Sequence, residues 1–308
     1  MKIFCVAPKE DWICDRIAQE WNEYFPEISA SNYNDADTIW LLASWCWNHI
    51  PIDVLKDKKV ITTIHHIVPD KFDSNKYKEF LLRDQFTDIY HVPNETTYSH
   101  VKQLTNKRIE ILSSWFDSKK WFPVDKNIAQ KYTGLLNNTF KIGSFQRDTE
   151  GFDNLTPKLE KGPDIFCDVV EQNFNKFQNK IQVVLAGWRR NYIKTRLSKN
   201  NINYIEFEKA SLEFLRNLYA SLDLYIVSSR FEGGPQAILE AAAMKIPIIT
   251  TNVGIAKNII NNRCIINMPQ EFIIPNQDDI NFAFEKVQNF RIEKIGKDYR
   301  QLLCQFRN

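Results

Sequence analysis

Apolar runs of strand length recur along the first half of the chain and alternate with stretches of helical periodicity. The strand candidates are KIFCVA, TIWLLA, KVITTI, DIYHV and RIEIL. The helix candidates include DWICDRIAQEWNEYF, YKEFLLRDQF and PNETTYSHVKQL, in which Asn94 is a suitable N-cap. Strands that alternate with helices predict a parallel sheet covered by helices.

The second half repeats this alternation. Its strand candidates are FKIGSF, IQVVLA, NYIEF, LYIVS and PIITT, and its helix candidates are PDIFCDVVEQNF, SLEFLRNLYASL and QAILEAAAMK. One further helical stretch is expected from about Asp278 to Phe306. Two such units in tandem predict an α/β protein with two doubly wound, Rossmann-like domains facing a cleft.

The distribution of three residue types also divides the chain in two. The first glycine is Gly134, whereas all five histidines and seven of the eight tryptophans precede it. The segment SSWFDSKKWFPVDKN lacks clear periodicity, which predicts a linker within residues 113–139. We predict domains at residues 1–125 and 126–290, with a C-terminal helix at about 291–308 that packs back on the first domain.

Composition narrows the class of protein. The chain is 44% hydrophobic and has a formal net charge of +2, which is typical of a globular protein and argues against a nucleic-acid binder. The six cysteines are scattered without metal-type spacing, which favours a reducing compartment over a disulfide framework. No signal-peptide pattern or apolar run of spanning length is visible, so we expect a soluble cytoplasmic protein, with contact at the inner membrane face left open.

Candidate chemistry is concentrated in the stretch SSRFEGGPQAILEAAAMKIPIITTNVG. LYIVSS ends as a strand, residues 230–234 form a turn, and Pro235 suits the first helical position. Gly233 and Gly234 allow a ligand to approach the backbone at a helix N-terminus, where phosphates bind. The first half has no G-x-G-x-x-G motif after its first strand, which argues against a dinucleotide-dependent dehydrogenase.

Glu232 and Glu240 lie on either side of the Gly233-Gly234 pair, and two interpretations are open. Both carboxylates could be solvated side chains beside an ordinary strand-to-helix turn. Alternatively, each could accept hydrogen bonds from neighbouring hydroxyls, such as those of a ribose or a hexose, from opposite ends of one ligand.

The same stretch resembles the signature of the retaining glycosyltransferase family 4 of the GT-B fold, in which seven residues separate two glutamates. LRNLYASLDLYIVSS resembles the helix and strand that lead into that signature, and ILSSWFDSKKWFPV resembles the interdomain connection. FKIGSFQRDTEGFDNLTPKLEKGPD is similar to the strand, arginine and Lys-Gly that open the donor domain. Arg147 and Lys161 fall on those positions, with Lys158 as the alternative lysine.

The resemblance implies a role for each matching residue. Arg147 and Lys161 would bind the donor diphosphate, Glu240 the ribose and Glu232 the donor sugar. VITTIHHIVPDKF resembles a family strand that ends in Thr-x-His, which makes His65 a candidate at the transfer site, with His66 in place of the usual acid. The implied catalytic residues are Glu232 and His65, and the implied donor-binding residues are Arg147, Lys161, Gly233, Gly234, Pro235, Gln236 and Glu240.

The implied function is retaining transfer of a sugar from a UDP- or GDP-linked donor to a glycan, lipid-linked or small-molecule acceptor, with no metal or other cofactor. Asp35 and Asp37 form the only D-x-D string, and we expect them in a polar turn. The chain departs from the family by its short first half and by APKEDW in place of a glycine-rich loop. A nucleotide-sugar epimerase and a non-catalytic nucleotide-sugar-binding protein are the alternatives.

The tryptophans of the first half allow two roles. They could form an aromatic platform for an acceptor sugar, or they could supply core and interface burial. The residues concerned are Trp12, Trp45, Trp47, Trp115 and Trp121.

Overall fold

A computed structural model describes residues 1–10, 13–135, 138–177, 180–267 and 272–305 of the 308-residue chain. The chain divides into two compact units. Unit 1 comprises Met1–Asp117 and Phe290–Asn308, and unit 2 comprises Ser118–Asn289.

Unit 1 contains one parallel sheet and its helices. Its strands are β1 (Ile3–Val6), β2 (Thr38–Leu41), β3 (Lys59–Thr63), β4 (Ile89–Val92) and β5 (Arg108–Ile111). Its first helices are α1 (Ile13–Tyr24), α2 (Ile52–Asp57), α3 (Ser74–Asp84) and α4 (Glu95–Lys102). As predicted, the Asn94 side chain caps α4, because its Oδ1 accepts a hydrogen bond from the Thr97 amide at 2.8 Å.

Unit 2 contains a larger parallel sheet and a short hairpin. Its strands are β6 (Phe140–Ser144), the hairpin strands β7 (Thr149–Glu150) and β8 (Thr156–Pro157), β9 (Ile181–Ala186), β10 (Asn203–Phe207), β11 (Leu224–Val227), β12 (Ile248–Thr251) and β13 (Ile265–Ile266). Its helices are α5 (Lys126–Thr133), α6 (Pro163–Asn173), α7 (Asn191–Lys199), α8 (Leu212–Ala220), α9 (Gln236–Ala243), α10 (Ala256–Ile259) and α11 (Gln277–Val287). The last helix of the chain, α12 (Ile292–Leu303), belongs to unit 1.

The strand order differs between the two sheets. The sheet of unit 1 follows the chain, β1-β2-β3-β4-β5, whereas the large sheet of unit 2 has the order β10-β9-β6-β11-β12-β13. The winding of unit 2 therefore reverses between β6 and β11. In open α/β sheets such a reversal leaves a crevice at the carboxyl ends of the two strands, where ligands bind.

The core of unit 1 includes a chain of buried polar groups. The Trp40 indole donates to Thr63 Oγ1 at 2.9 Å, and Thr63 Oγ1 lies 2.9 Å from His91 Nδ1. His91 Nε2 lies 2.8 Å from the carbonyl oxygen of Leu112 and 3.1 Å from the Tyr299 hydroxyl. Burial lowers the pKa of His91 to about 4, so this imidazole is neutral near pH 7.

One helix was not predicted, and one predicted helical stretch is divided. The boundary between the two units lies between Asp117 and Ser118, within residues 113–139 where the linker was predicted. The same range also contains helix α5, which begins after the Asp125 cap and ends before Gly134 in the left-handed conformation. The stretch from Asp278 to Phe306 contains two helices rather than one, and Gln288–Phe290 between them forms a 3-10 turn. Phe306 itself lies outside the described residues.

The predicted α/β class is confirmed, because the strands of both main sheets are parallel and alternate with helices along the chain. Among the described strands, the winding reverses in the sheet of unit 2, whereas the strand order of unit 1 follows the chain. Every apolar run that was predicted as a strand overlaps one of the observed strands. In the part of the chain that the structure describes, no helix combines the length and apolar character needed to cross a bilayer.

Candidate functional site

The candidate site lies where the sheet of unit 2 reverses its winding. β6 and β11 are adjacent and parallel, with Ile142 paired to Leu224 and Gly143 to Tyr225. Their carboxyl ends therefore lie at the same edge of the sheet. The segment that follows β6 leads to α6, and the turn that follows β11 leads to α9, so two helix N-termini begin near this edge.

The first contact between these segments is made by backbone carbonyls of residues 159–161, which form a 3-10 turn. The amides of Arg230 and Phe231 donate to the Glu160 carbonyl at 2.8 and 3.1 Å. The Arg230 side chain donates to the Leu159 carbonyl at 2.9 Å and forms a two-pronged ion pair with Asp164, in the first turn of α6, at 2.7 and 2.6 Å. Arg230 thus ties the β11 turn to the start of α6.

The Lys161 carbonyl is held by two more side chains. Ser228 Oγ donates to it at 3.2 Å, and Gln146 Nε2 donates to it at 2.8 Å. Gln146 also accepts a hydrogen bond from Ser229 Oγ at 3.2 Å. Sequence reasoning missed Gln146, Ser228 and Ser229, because their contacts between the two segments join residues 15 to 83 positions apart.

Gly162 permits the close approach of these two segments. It has a φ of +59°, and a Cβ at this position would lie 1.8 Å from the Ser228 carbonyl oxygen. Gly254 has a similar role on the other side of the turn, because its Cβ would lie 2.7 Å from both the Gly233 carbonyl oxygen and Pro235 Cδ. Two glycines outside the predicted pair therefore shape the turn.

Lys161 and Glu232 form an ion pair at the centre of this arrangement. Lys161 Nζ lies 2.5 Å from Glu232 Oε1, and the two side chains are 21% and 13% exposed. The Ser229 hydroxyl donates to the same carboxylate oxygen at 3.1 Å. The alternative lysine, Lys158, instead has its Nζ 3.6 Å from Glu160 Oε1. The structure thus brings the predicted cation and the predicted sugar-side carboxylate together.

Glu240 lies deeper, on α9, and is 4% exposed. Its Oε2 accepts a hydrogen bond from the hydroxyl of Tyr219 at 3.1 Å. Burial is the main cause that raises the pKa of Tyr219, and the nearby Tyr225 and Glu240 raise it further. This phenol therefore stays a hydrogen-bond donor. Tyr219 is a further residue that sequence reasoning missed, and it fixes the direction of the Glu240 carboxylate.

The predicted turn residues lead directly into α9. Pro235 is the N-cap and Gln236 is the first helical residue, so the helix begins one position later than predicted. Gly233 is buried, whereas Gly234 and Gln236 are half-buried. The partial positive charge of the N-terminus of α9 therefore lies at the end of the turn that carries Glu232.

Arg147 follows β6 and lies beside an exposed aromatic ring. Its Nε donates to the Thr149 carbonyl at 2.8 Å, and its guanidinium lies 5.5 Å from the centre of the Trp188 ring. Trp188 is 45% exposed and has a second guanidinium, that of Arg189, at 4.8 Å. Burial lowers the pKa of Lys158, and the positive charges of Lys161 and Arg147 lower it further.

A buried ion pair supports this side of the site. Arg190 is fully buried, and its Nε lies 3.1 Å from Asp148 Oδ2. The Arg190 guanidinium also donates to the carbonyls of Ser144 and Ala186, the last residues of β6 and β9, at 2.6 and 2.8 Å. Burial raises the pKa of Asp148 and lowers that of Arg190, while their mutual attraction opposes both shifts. The pair fixes the backbone on either side of Arg147.

His65 belongs to unit 1 and follows β3. Its Nε2 lies 2.8 Å from the Leu42 carbonyl oxygen, so Nε2 carries the proton in the tautomer that satisfies this contact. Cys14 Sγ lies 3.5 Å from the same nitrogen, and the His65 carbonyl accepts a hydrogen bond from Thr97 Oγ1 at 3.1 Å. These contacts give His65 a defined orientation at the carboxyl end of its strand.

The aspartates of the D-x-D string lie in the turn before β2, at the amino-terminal edge of its sheet. Asp35 Oδ2 accepts a hydrogen bond from the Asn32 amide at 2.5 Å, and Asp37 Oδ2 accepts one from the Lys2 backbone amide at 2.7 Å. Across the described residues, no cluster of three or more His, Cys, Asp or Glu side chains could hold a metal ion.

The tryptophans proposed as an acceptor platform do not share one environment. Trp115 and Trp121 are 1% exposed and belong to cores, whereas Trp45 is exposed and Trp47 half-buried. Trp12 lies outside the described residues. A platform that includes Trp115 and Trp121 is therefore wrong.

Comparison with known proteins supports the assignment of this fold. Residues 154–288 match the family model described as Glycosyl transferases group 1, a range that includes Lys161 and both glutamates. The chain is 26% identical over 238 residues to the O-antigen biosynthesis glycosyltransferase WclY of Escherichia coli, covering 67% of this chain and 58% of that relative. It thus spans less than two thirds of the length of this curated relative.

Solved structures resemble the chain along nearly its whole length. HepE of Anabaena, in complex with UDP and glucose, has a TM-score of 0.75 at 14% identity and covers 98% of this chain and 99% of its own. Sucrose-phosphate synthase of Thermosynechococcus elongatus has a TM-score of 0.66 at 16% identity and covers 92% and 76%. The likeness shows the GT-B fold, and the family match supports a glycosyltransferase of that fold.

Proposed function

We propose that this protein is a retaining glycosyltransferase that moves a sugar from a nucleotide-diphospho-sugar, UDP- or GDP-linked, to a carbohydrate-containing or lipid-linked acceptor. The observation that carries the proposal is the joining of residues 159–162 to the β11 turn, which sets Lys161 beside Glu232 where the winding reverses. A cation and two helix N-termini at one sheet edge suit a diphosphate. An adjacent carboxylate suits sugar hydroxyls.

In this proposal, departure of the nucleotide diphosphate leaves negative charge on its terminal phosphate. Arg147, Lys161 and the amides at Gly233 and Gly234 stabilise that charge as it develops. Glu240 accepts hydrogen bonds from the ribose hydroxyls, with Pro235 and Gln236 beginning the helix that carries it. No metal is part of the proposal, because side-chain cations supply the positive charge.

Glu232 and His65 are the proposed catalytic residues. Glu232 holds donor-sugar hydroxyls near the anomeric carbon and does not form a covalent bond to it. His65, whose Nε2 lies 2.8 Å from the Leu42 carbonyl oxygen, is proposed on the strength of the sequence resemblance. Retention at the anomeric carbon is the part of the proposal that rests on the sequence resemblance alone.

A thermal-shift series against UDP-, GDP- and ADP-sugars tests the donor site first. A ligand that binds only the folded protein raises its melting temperature by mass action, so one nucleotide class is expected to raise it. Lys161→Ala should abolish that rise. Lys126→Ala is the matched control, because Lys126 also pairs with a carboxylate at 2.5 Å but at the amino-terminal side of β11. A wild-type protein that no nucleotide-sugar stabilises would contradict the proposal.

Product analysis then separates the possible activities. With an acceptor glycan or lipid-linked glycan, the anomeric configuration of the product by NMR should match that of the donor. A new epimer formed without any acceptor would instead identify an epimerase. Binding without hydrolysis, transfer or epimerisation would identify a non-catalytic nucleotide-sugar-binding protein.

A further inference from the structure

The site proposed for the donor already pairs its own cation with its own anion. Lys161 Nζ lies 2.5 Å from Glu232 Oε1, and the Ser229 hydroxyl holds the same oxygen at 3.1 Å. Both side chains are largely buried, so water screens this pair less than it would an exposed one. Any anion that binds Lys161 must therefore compete with the Glu232 carboxylate.

In the proposed reaction, the nucleotide-sugar donor and the nucleoside diphosphate product differ at the terminal phosphate, which carries the sugar in the donor but not in the product. An intact nucleotide-sugar presents a phosphodiester with one negative charge, followed by neutral hydroxyls that can donate to a carboxylate. The nucleoside diphosphate that remains after transfer ends instead in a phosphate monoester, whose second pKa is about 6, so it carries close to two negative charges at pH 7. Glu232 gains a partner from the first ligand and faces like charge from the second.

We propose that the Lys161–Glu232 ion pair makes the site prefer the intact donor over the spent nucleotide. The donor exchanges one partner of Glu232 for another, because its sugar hydroxyls replace the Lys161 ammonium. The spent nucleotide takes Lys161 and leaves the carboxylate beside its terminal phosphate. This inference rests on the proposed function, and it assigns Glu232 a role in product release beyond holding the sugar.

The proposal predicts opposite effects of one substitution on two ligands. Glu232→Gln keeps the size of the side chain but removes the charge. It should tighten binding of the nucleoside diphosphate, because Lys161 loses a competitor and the phosphate loses a like charge. It should weaken binding of the nucleotide-sugar, because an amide is a poorer acceptor for hydroxyls than a carboxylate. The ratio of the two Kd values should change by about tenfold, on the order of one charge-assisted hydrogen bond.

Isothermal titration calorimetry without acceptor measures this ratio, with UDP compared with UDP-glucose. If the guanine nucleotides are the ones that stabilise the wild-type protein, GDP is compared with GDP-mannose instead. Asp223→Asn is the matched control. It removes the same charge from an ion pair of the same length, Lys126–Asp223, at the amino-terminal side of β11. The control should leave the ratio unchanged. If Glu232→Gln does not fold, Glu232→Ala is measured in its place.

The outcomes distinguish this inference from the proposed function. Opposite shifts for the two ligands, absent in Asp223→Asn, support it. Shifts in the same direction, or an unchanged ratio, overturn it while leaving the glycosyltransferase proposal intact if the wild-type protein binds and transfers. A wild-type protein that binds neither member of either pair overturns both.

Discussion

At the residue scale, Gly162 is the position at which two backbone segments of the candidate site come closest. Its left-handed φ of +59° and the 1.8 Å that would separate a Cβ from the Ser228 oxygen are two distinct constraints. The first is a local backbone preference of about 1–2 kcal/mol for a non-glycine residue. The close contact with the Ser228 oxygen depends instead on the packing of the end of β11 against residues 159–162, which neighbouring residues in the sequence do not specify.

Gly162→Ala should therefore destabilise the protein by more than the backbone preference alone. Gly134→Ala is the matched control, because Gly134 also has a positive φ, +75°, but has no heavy atom within 4 Å of a built Cβ. We expect about 1–2 kcal/mol for Gly134→Ala and a clearly larger loss for Gly162→Ala, measured by urea unfolding. Equal losses would show that the segment relaxes and that the close approach is not required.

At the element scale, α12 is tied to the sheet of unit 1 by a buried lysine. Lys59 of β3 is 4% exposed, and its Nζ donates to the carbonyls of Leu302 and Gln305 at 3.3 and 2.6 Å. Burial lowers the pKa of Lys59, but a cation at a helix C-terminus also interacts favourably with the helix dipole. The contact joins two elements that are more than 240 residues apart in the chain.

Lys59→Met should loosen α12, because it removes the donor to the Leu302 carbonyl in the last turn and to the Gln305 carbonyl just beyond the helix while retaining an apolar stem. The expected loss is about 1–3 kcal/mol, with faster hydrogen exchange of α12 amides than of β2 amides. Lys297→Met, on the exposed face of the same helix, is the control and should change neither quantity. Unchanged exchange in Lys59→Met would mean that apolar packing alone holds α12.

At the scale of the whole molecule, acid should destabilise the protein through His91. Its pKa is about 4 in the folded state, against 6.5 for an ordinary histidine. Between these values the unfolded chain binds a proton that the folded chain does not. The contribution of His91 to the free energy of unfolding is therefore fully present above pH 6.5 and is lost as the pH falls toward 4. The full contribution is about 3 kcal/mol, from 1.36 kcal/mol for each pKa unit.

Unfolding free energies measured between pH 7 and pH 4 check this expectation. The decline should be shallower in His91→Gln than in the wild-type protein, because glutamine has no proton to gain. The exposed His49→Gln serves as the control and should keep the wild-type slope. Parallel slopes for all three proteins would assign the acid sensitivity to other groups.

Much of the architecture was predictable from sequence because it depends on short-range patterns. Apolar runs marked ten of the thirteen strands in the described residues, and Asn94 marked the start of α4. The strands that were not predicted, β7, β8 and β13, have only two residues each. Helix α5 was missed although Asp125 and Gly134 flank it, because its eight residues are too short for periodicity to outweigh the surrounding irregular sequence. The break between α11 and α12 was missed because no proline marks it in the sequence. It coincides with the passage of the chain from unit 2 back to unit 1.

The sequence by itself determined the α/β class and the order of the strand, the turn with Glu232 and the helix with Glu240, because these depend on neighbouring residues. Only the tertiary structure decided which groups meet there. The contacts of Lys161 with Glu232, and of Gln146 with Ser229, join residues 71 and 83 positions apart. They form because the winding of the sheet reverses between β6 and β11. Strand order is fixed by long-range packing, which no local pattern specifies.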